Sequence, residues 1–429
     1  MARARTRKSR LDRLAQLQSL VAGALDQNPF QRARLEKAGC AAVPSSLEEF
    51  AARFPLTLKS ELSEDQRRHP PFGTNFSLPL EQFRRIHQTS STTGSPLRWL
   101  DTEESWQWMV ESWTLVLRAA EVAAGERVLF AFSFGPFLGF WVGFDAAQRL
   151  GCAPVAAGGM DSRSRVNAIF DFQVTTLCCT PTYALRLGET VGSSGLDPVQ
   201  SPVRRIIVAG ETGGSVPAVR ARIESLWQGA RVFDHYGMTE VGPVTFQCTA
   251  RDDAVHVLDE RFLVEVIDPR TQASLDLARE AHGELVLTPL CRAGQPVLRY
   301  RTGDRVHSLA RARCACGRTT LMLQGGILAR ADDMVVVRGV NLFPSAVDEV
   351  VRSIPGVVEY RVEISEKTAM TEVNVDIESD GSRPDQALAQ ELEAAFRRAF
   401  SLRIPVRVVP PQTLPRFELK ARRWVKVAG

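Results

Sequence analysis

The 429-residue chain is 44% hydrophobic and 24% charged, an ordinary globular composition long enough for a large core plus a second domain. Its 53 basic and 49 acidic residues leave a net charge of +4, too mild a balance to argue for a nucleic-acid partner. The basic run "MARARTRKSR" is not followed by an apolar stretch of signal-peptide or membrane-span length. It is expected to be a frayed, solvated tail on a soluble, cytoplasmic protein with no membrane partner. Eight Cys in a chain this long do not suggest a disulfide scaffold.

Residues 1–80 read as helical and then irregular. "SLEEFAARFPLT" predicts an amphipathic helix stopped by Pro55, and "RHPPFGTNFSLP" a loop. After the polar stretch "QTSSTTGSPLRWL", a helix is expected with Thr102 as N-cap. Trp106, Met109, Trp113 and Leu117 recur on it at helical spacing, as core. Strands and helices then alternate. "RVLFAFS", "APVAAGG", "TTLCCTP", "RRIIVAG" and "RVFDHYG" read as strands; "FGPFLGFWVGFDAAQRLG" reads as a Gly-opened helix, and "RSRVNAIFDFQ" and "VPAVRARIESLWQ" as helices. This rhythm predicts an α/β fold with helix-covered, mostly parallel strands. Polar Gly-containing turns at strand ends ("SFGPF", "AGETGG", "HYGMTE") are where such folds bind ligands.

From about residue 245 the texture changes to alternating strands, an antiparallel subdomain reaching about 330. From there "DDMVVVRGVNLFPSAVDEVVRSIPGV" opens a compact α+β unit of domain size. The expected organisation is a large domain over 1–331 and a small C-terminal one over 332–429.

Six motifs follow in order: "TSSTTGSP" (89–96), "AGETGG" (209–214), "HYGMTE" (235–240), "YRTGD" (300–304), "RADDMVVVRGVNLFPS" (330–345) and "PRFELKARR" (415–423). Each is weak alone. In this order the chain resembles the adenylate-forming ligases, and "RGVNLFPS" and "LPRFELKARR" resemble their phenylacetate–CoA ligase branch.

The resemblance implies a two-step reaction. A carboxylate attacks the α-phosphorus of ATP, releasing pyrophosphate, and a thiol, usually that of CoA, then displaces AMP. It also implies that the small C-terminal domain is mobile and swings between the steps. Chemistry at an anionic phosphorus centre is mostly positioning and charge stabilisation, which suits a loop of hydroxyls and N–H groups. Thr89, Ser90, Ser91, Thr92, Thr93 and Gly94 match that loop. Two residues depart from its pattern: Ser91 stands where relatives have Gly and Ser95 where they have Lys.

By resemblance, Glu240 holds Mg²⁺, Tyr236 stacks on adenine, Thr239 meets the α-phosphate, and Asp304 and Arg330 serve the ribose. Gly210, Glu211, Thr212, Asp234, His235, Gly237 and Met238 complete the nucleotide set. Lys420 matches the mobile lysine, Asp332 the hinge, and Arg338 and Gly339 the wall of the CoA tunnel. Ala329 replaces a Gly that the family favours.

The acid is expected beside Phe132, Phe134, Phe137, Ala209, Gly210, His235 and Gly237, with one or two of the Phe rings facing it. That slot favours an aryl or arylacetic acid. Cys314 and Cys316 form a Cys-x-Cys-Gly knuckle, and with Cys248 and His256 give four ligands for a structural zinc. Cys291 is a less suitable fifth candidate. A homodimer is an expectation of resemblance alone. Two further readings stay open: an acceptor that is an amine or a carrier protein, and a catalytically weak binding protein of the same fold.

Overall fold

In the computed structural model, residues 2–89, 96–330, 333–337, 340–367, 370–417 and 420–427 are described. The chain divides into two compact units, Met1–Gly158 with Phe233–Gly326, and Gly159–Val232 with Ile327–Gly429. No helix among the described residues is long and apolar enough to cross a membrane.

The first unit opens with a helix over Ala2–Gln27, so the basic N-terminal run is helical rather than frayed. Ala, Arg and Lys are good helix formers, and Leu17, Leu20 and Val21 farther along anchor the helix in a core with Phe50, Leu290 and Leu298. The helix Leu47–Arg53 is capped by Ser46, whose side chain accepts from Glu49 N–H. The helix Glu103–Ala119 is capped by Thr102 as the sequence predicts, and Trp106, Met109 and Trp113 are buried. The next helix starts at Leu138, with Phe137 rather than a glycine at its cap. Strands Arg127–Phe130 and Ala153–Ala156 pair in parallel. The antiparallel subdomain includes strands Ala254–Val257, Phe262–Ile267, Ala281–Pro289 and Tyr300–Ser308. Their registers put Val264 opposite Leu287 and Leu287 opposite Tyr300.

In the second unit, strands Thr176–Cys179 and Arg205–Val208 pair in parallel. The structure adds a helix over Pro181–Ser193 that the sequence reading lacks. Thr180 caps it, accepting from Tyr183 N–H, and Pro181 starts it. The C-terminal portion has long antiparallel strands Val357–Lys367 and Met370–Ser379, flanked in parallel by Trp424–Lys426 and Val406–Val409. Helices Pro344–Arg352 and Asp385–Phe400 contribute Val347, Val351, Leu388, Leu392 and Phe396 to the core cluster of this portion.

Two buried polar features stand out in the first unit. Asp101 and Arg292 are 1% and 2% exposed and form a two-pronged pair at 2.9 and 2.7 Å. Burial alone would raise the Asp101 carboxyl. The charge of Arg292, with the nearby His87 ring and hydrogen bonds from Arg292 and Ser105, holds it below the usual carboxylate range. The second feature is His235, 4% exposed, its ring centroid 4.4 Å from that of Trp113. Burial lowers its pKa to about 4, against a smaller opposite effect of the Thr245 carbonyl.

Asp101→Asn leaves Arg292 charged and uncompensated, and is expected to cost about 3–5 kcal/mol in denaturant unfolding. His235 makes a second, pH-dependent contribution. Its folded pKa lies below the unfolded value of 6.5, so stability is fully present above pH 6.5 and is lost as pH falls towards 4. The loss is on the order of 3 kcal/mol, and His235→Gln should flatten that part of a stability–pH curve.

Candidate active site

The turn "HYGMTE" in the first unit is built by a tight hairpin in which Gly237 faces Pro243 and Met238 faces Gly242. Gly242 has φ +89°, and a Cβ on Gly237 would lie 2.8 Å from the Gly242 carbonyl oxygen. Both glycines are therefore required by backbone geometry. Tyr236 N–H donates to Thr245 Oγ1 at 2.9 Å, and Val244 and Thr245 N–H both donate to the Tyr236 carbonyl. The His235 Nδ1 atom lies 2.6 Å from the Thr245 carbonyl oxygen, so it carries the proton and Nε2 holds a lone pair. Asp234 N–H donates to Gln247 Oε1.

This bracing aims Tyr236 across the site. Its hydroxyl donates to Asp304 Oδ2, and Asp304 is 1% exposed at the strand Tyr300–Ser308. Thr302 Oγ1 accepts from Asp304 N–H at 3.0 Å. The structure thus joins two residues from motifs that are far apart in the chain. Arg292 Nη1 donates to the Thr239 carbonyl at 2.7 Å, tying the turn to the Asp101 pair.

Glu240 is 2% exposed. Tyr300 donates to its Oε1 at 3.2 Å, and Lys59 Nζ lies 3.0 Å from the same atom. Lys59 begins the helix Lys59–Arg68. The preceding segment is docked by Thr57, whose N–H donates to the Arg299 carbonyl while its own carbonyl accepts from Arg301 N–H. Lys59 and Arg292 escape the sequence reading because no local pattern marks them, whereas Tyr300 opens the motif "YRTGD". A carboxylate is a hard oxygen donor of the kind that could hold Mg²⁺ together with waters and phosphate oxygens.

Thr89 and Leu97 are paired through Thr89 N–H to the Leu97 carbonyl and Leu97 N–H to Thr89 Oγ1. Ser90, Ser91, Thr92, Thr93, Gly94 and Ser95 lie outside the described residues. The aromatic residues of the expected acid slot are half-buried. Phe132 packs on Phe140 (4.2 Å between centroids), and Phe134 meets Trp141 edge-on at 4.8 Å. Phe140 lies 6.2 Å from Trp113, which touches His235, so an aromatic chain runs from Phe132 to the "HYGMTE" turn. A Cβ on Gly158 would meet Phe134 at 2.9 Å.

The second unit gathers the remaining residues. Ala209 N–H donates to the Cys179 carbonyl, extending the strand to Gly210 at φ +95°. A Cβ on Gly210 would lie 3.5 Å from Lys420 Cε and 3.8 Å from Thr180 Cγ2. Lys420 is exposed and Thr212 is half-buried. Both Glu211 carboxylate oxygens are engaged by backbone: Thr182 N–H donates to Oε1 at 2.9 Å and Ala421 N–H to Oε2 at 2.8 Å. Arg330 ends the strand Met322–Arg330 and is half-buried. Ala331, Asp332, Arg338 and Gly339 lie outside the described residues.

A separate cluster sits in the antiparallel subdomain. The ligand atoms of Cys248, His256, Cys314 and Cys316 all lie within 4.8 Å of one another. Cys248 Sγ is 3.9 Å from Cys314 Sγ, and Cys316 Sγ is 3.6 Å from His256 Nε2. His256 Nδ1 is bonded to Thr320 Oγ1 at 2.8 Å, which orients Nε2 inward. The knuckle turns at Gly317, φ +87°, whose N–H donates to the Cys314 carbonyl. Three thiols and one imidazole at this spacing fit a tetrahedral zinc.

Comparison with known proteins agrees with these motifs. Residues 30–288 match the family model for AMP-binding enzymes, and residues 339–426 that for the AMP-binding enzyme C-terminal domain. The chain is 31% identical to phenylacetate-coenzyme A ligase of Thermus thermophilus, covering 94% of this chain and 92% of that protein. It is 32% identical to the enzyme of the same name from Aromatoleum evansii, covering 89% and 86%. Among solved structures, 2-hydroxyisobutyryl-CoA ligase with 2-HIB-AMP in the postadenylation state superposes with a TM-score of 0.90. It shares 28% identity over 97% of this chain and 89% of that one. The ordered motifs, the Tyr236–Asp304 and Glu240 geometry and these matches place the chain in the adenylate-forming, AMP-binding enzyme family, within its phenylacetate–CoA ligase-like branch.

Proposed function

We propose that the protein activates an aromatic or arylacetic carboxylic acid with ATP and passes the acyl group to CoA. The observation that carries this reading is Lys420, whose Cε lies beside Gly210 at the carboxyl end of a parallel strand. That is where an α/β fold presents its ligand. In the first step a carboxylate oxygen forms a bond to the α-phosphorus and the bond to pyrophosphate breaks. Lys420 stabilises the charge that develops there. Tyr236 offers a flat ring for adenine, and Asp304 accepts from the ribose hydroxyls once Tyr236 yields it. Thr239 meets the α-phosphate. Mg²⁺ held by Glu240 would neutralise charge on the leaving pyrophosphate. Lys59 brings a second cation to the same carboxylate.

In the second step the CoA thiolate attacks the acyl carbonyl and AMP departs. The portion 332–429 acts as the mobile domain, hinged at Asp332, with Arg338 and Gly339 lining the thiol's approach. The aromatic chain from Phe132 to His235 supports an aryl acid, and the two relatives cited above are phenylacetate-coenzyme A ligases by name.

Pyrophosphate release over a panel of aromatic acids tests the reading. Release that depends on one such acid, with CoA consumed, is expected. Release without CoA consumption would point to another acceptor, and no release with any acid would leave a binding protein. Lys420→Ala is expected to slow adenylate formation by about 100-fold or more. It should spare acyl transfer from a preformed adenylate; equal loss of both steps would contradict the assignment.

Cys248, His256, Cys314 and Cys316 are proposed to hold a structural zinc, which would crosslink the antiparallel subdomain and take no part in either step. Burial pushes the Cys248 thiol up to about 11, so a thiolate there needs a cation beside it. Metal analysis should find one zinc per chain, lost with unfolding in Cys314→Ser. Zinc-free protein with every thiol freely titratable would remove this site.

A further inference from the structure

Glu211 lies in a motif whose family role is nucleotide binding, yet its carboxylate is spent on the chain itself. One oxygen accepts from Thr182 N–H, at the start of the helix Pro181–Ser193, and the other from Ala421 N–H. Ala421 is the residue after Lys420. The segment beyond it is fixed at several further points. Arg423 is 8% exposed and donates to Glu359 at 2.6 and 3.1 Å. Its Nη1 also donates to Thr182 Oγ1 at 3.3 Å, so Thr182 is gripped through both its backbone and its hydroxyl. The Arg423 carbonyl accepts from Val362 N–H, and Trp424–Lys426 joins the sheet beside Val362–Ile364. From Ala421 onward the backbone is pinned, and Lys420 is the residue just outside the pin, with Cε over Gly210.

We propose that Glu211 is a positioning residue for Lys420: its carboxylate bridges the Thr182 and Ala421 N–H groups and so seats the lysine for adenylate formation. This rests on the reading of Lys420 given above. Two N–H donors converge on one carboxylate, an arrangement that needs both oxygens as acceptors. It can form only while the 420–423 segment is docked on Thr182. The bridge therefore serves the first half-reaction and has no work in the second. Arg423, clamped by Glu359, supplies the other end of the seat.

The test compares half-reactions in the full-length enzyme. Glu211→Gln turns one acceptor oxygen into an N–H₂ that faces a backbone donor. Single-turnover pyrophosphate release is expected to slow by about 10- to 100-fold. Transfer to CoA from a synthetic acyl-adenylate should stay within about twofold of wild type, the spread seen for uncoupled sites. On a Lys420→Ala background, Glu211→Gln should add no further loss, because it acts only through the lysine. A multiplicative loss on that background, or equal loss in both half-reactions, overturns the proposal.

Hydrogen exchange on the wild type gives an arm that does not depend on the variant folding. The Ala421 amide should exchange more slowly with Mg-ATP than with CoA and AMP; equal exchange in the two overturns the bridge. If Lys420→Ala itself adenylates normally, the reading of the lysine fails and the bridge with it. If Lys420→Ala cannot adenylate while Glu211→Gln can, the bridge alone is wrong.

Discussion

The buried pair between Asp101 and Arg292 is the constraint around which the "HYGMTE" turn of the first unit is arranged. Asp101 lies in the strand Arg98–Thr102, a few residues after the segment 89–96, and its partner comes from the turn after the strand Ala281–Pro289. The same guanidinium that neutralises Asp101 donates to the Thr239 carbonyl. One cation thus fixes the base of the loop region and the "HYGMTE" turn to each other. Such a pair gives little net stability, because two charges leave water to form it. Its value lies in geometry: a two-pronged guanidinium–carboxylate contact tolerates little rotation.

Charge compensation also explains the surroundings of Glu240. A carboxylate that is 2% exposed needs partners, and Tyr300 and Lys59 provide a hydroxyl and an ammonium. Lys59 reaches it only because Thr57 docks beside Tyr300 in the manner of an added strand residue. A helix outside the six motifs thereby brings a cation to the carboxylate proposed above to hold Mg²⁺. The second unit meets the same demand with neutral donors: the Glu211 carboxylate is satisfied by two backbone N–H groups rather than by a cation.

Much of the architecture was legible because period and punctuation agree with it. Thr102 caps its helix, Pro55 lies just past the helix Leu47–Arg53, and the short apolar runs around Val128, Leu177 and Ile207 became strands. The helix Pro181–Ser193 escaped because its start follows a buried strand without a polar break other than Thr180, and Gly188 interrupts its pattern. That glycine is a packing requirement, since a Cβ there would lie 2.8 Å from Leu226 Cβ. The charge of the N-terminal run suggests a solvated tail; the helix it forms follows the propensity of Ala, Arg and Lys.

By itself, the sequence determined the family and the chemistry to expect, because ligands for phosphate, ribose and metal must carry particular side chains whatever surrounds them. The ordered motifs, through the family they resemble, point to Glu240, Asp304 and Lys420 as candidates, and the Cys-x-Cys-Gly knuckle with Cys248 and His256 to a candidate metal cluster. Tertiary structure decided which groups compensate them. Lys59 on Glu240, Tyr236 on Asp304, Arg292 on Thr239 and Glu211 on Ala421 are all pairs distant in the chain. Burial makes the pairings of Glu240 and Asp304 obligatory, since a polar group taken out of water must find a partner. The identity of that partner depends on which residue the fold brings within hydrogen-bond reach, and no local pattern records it.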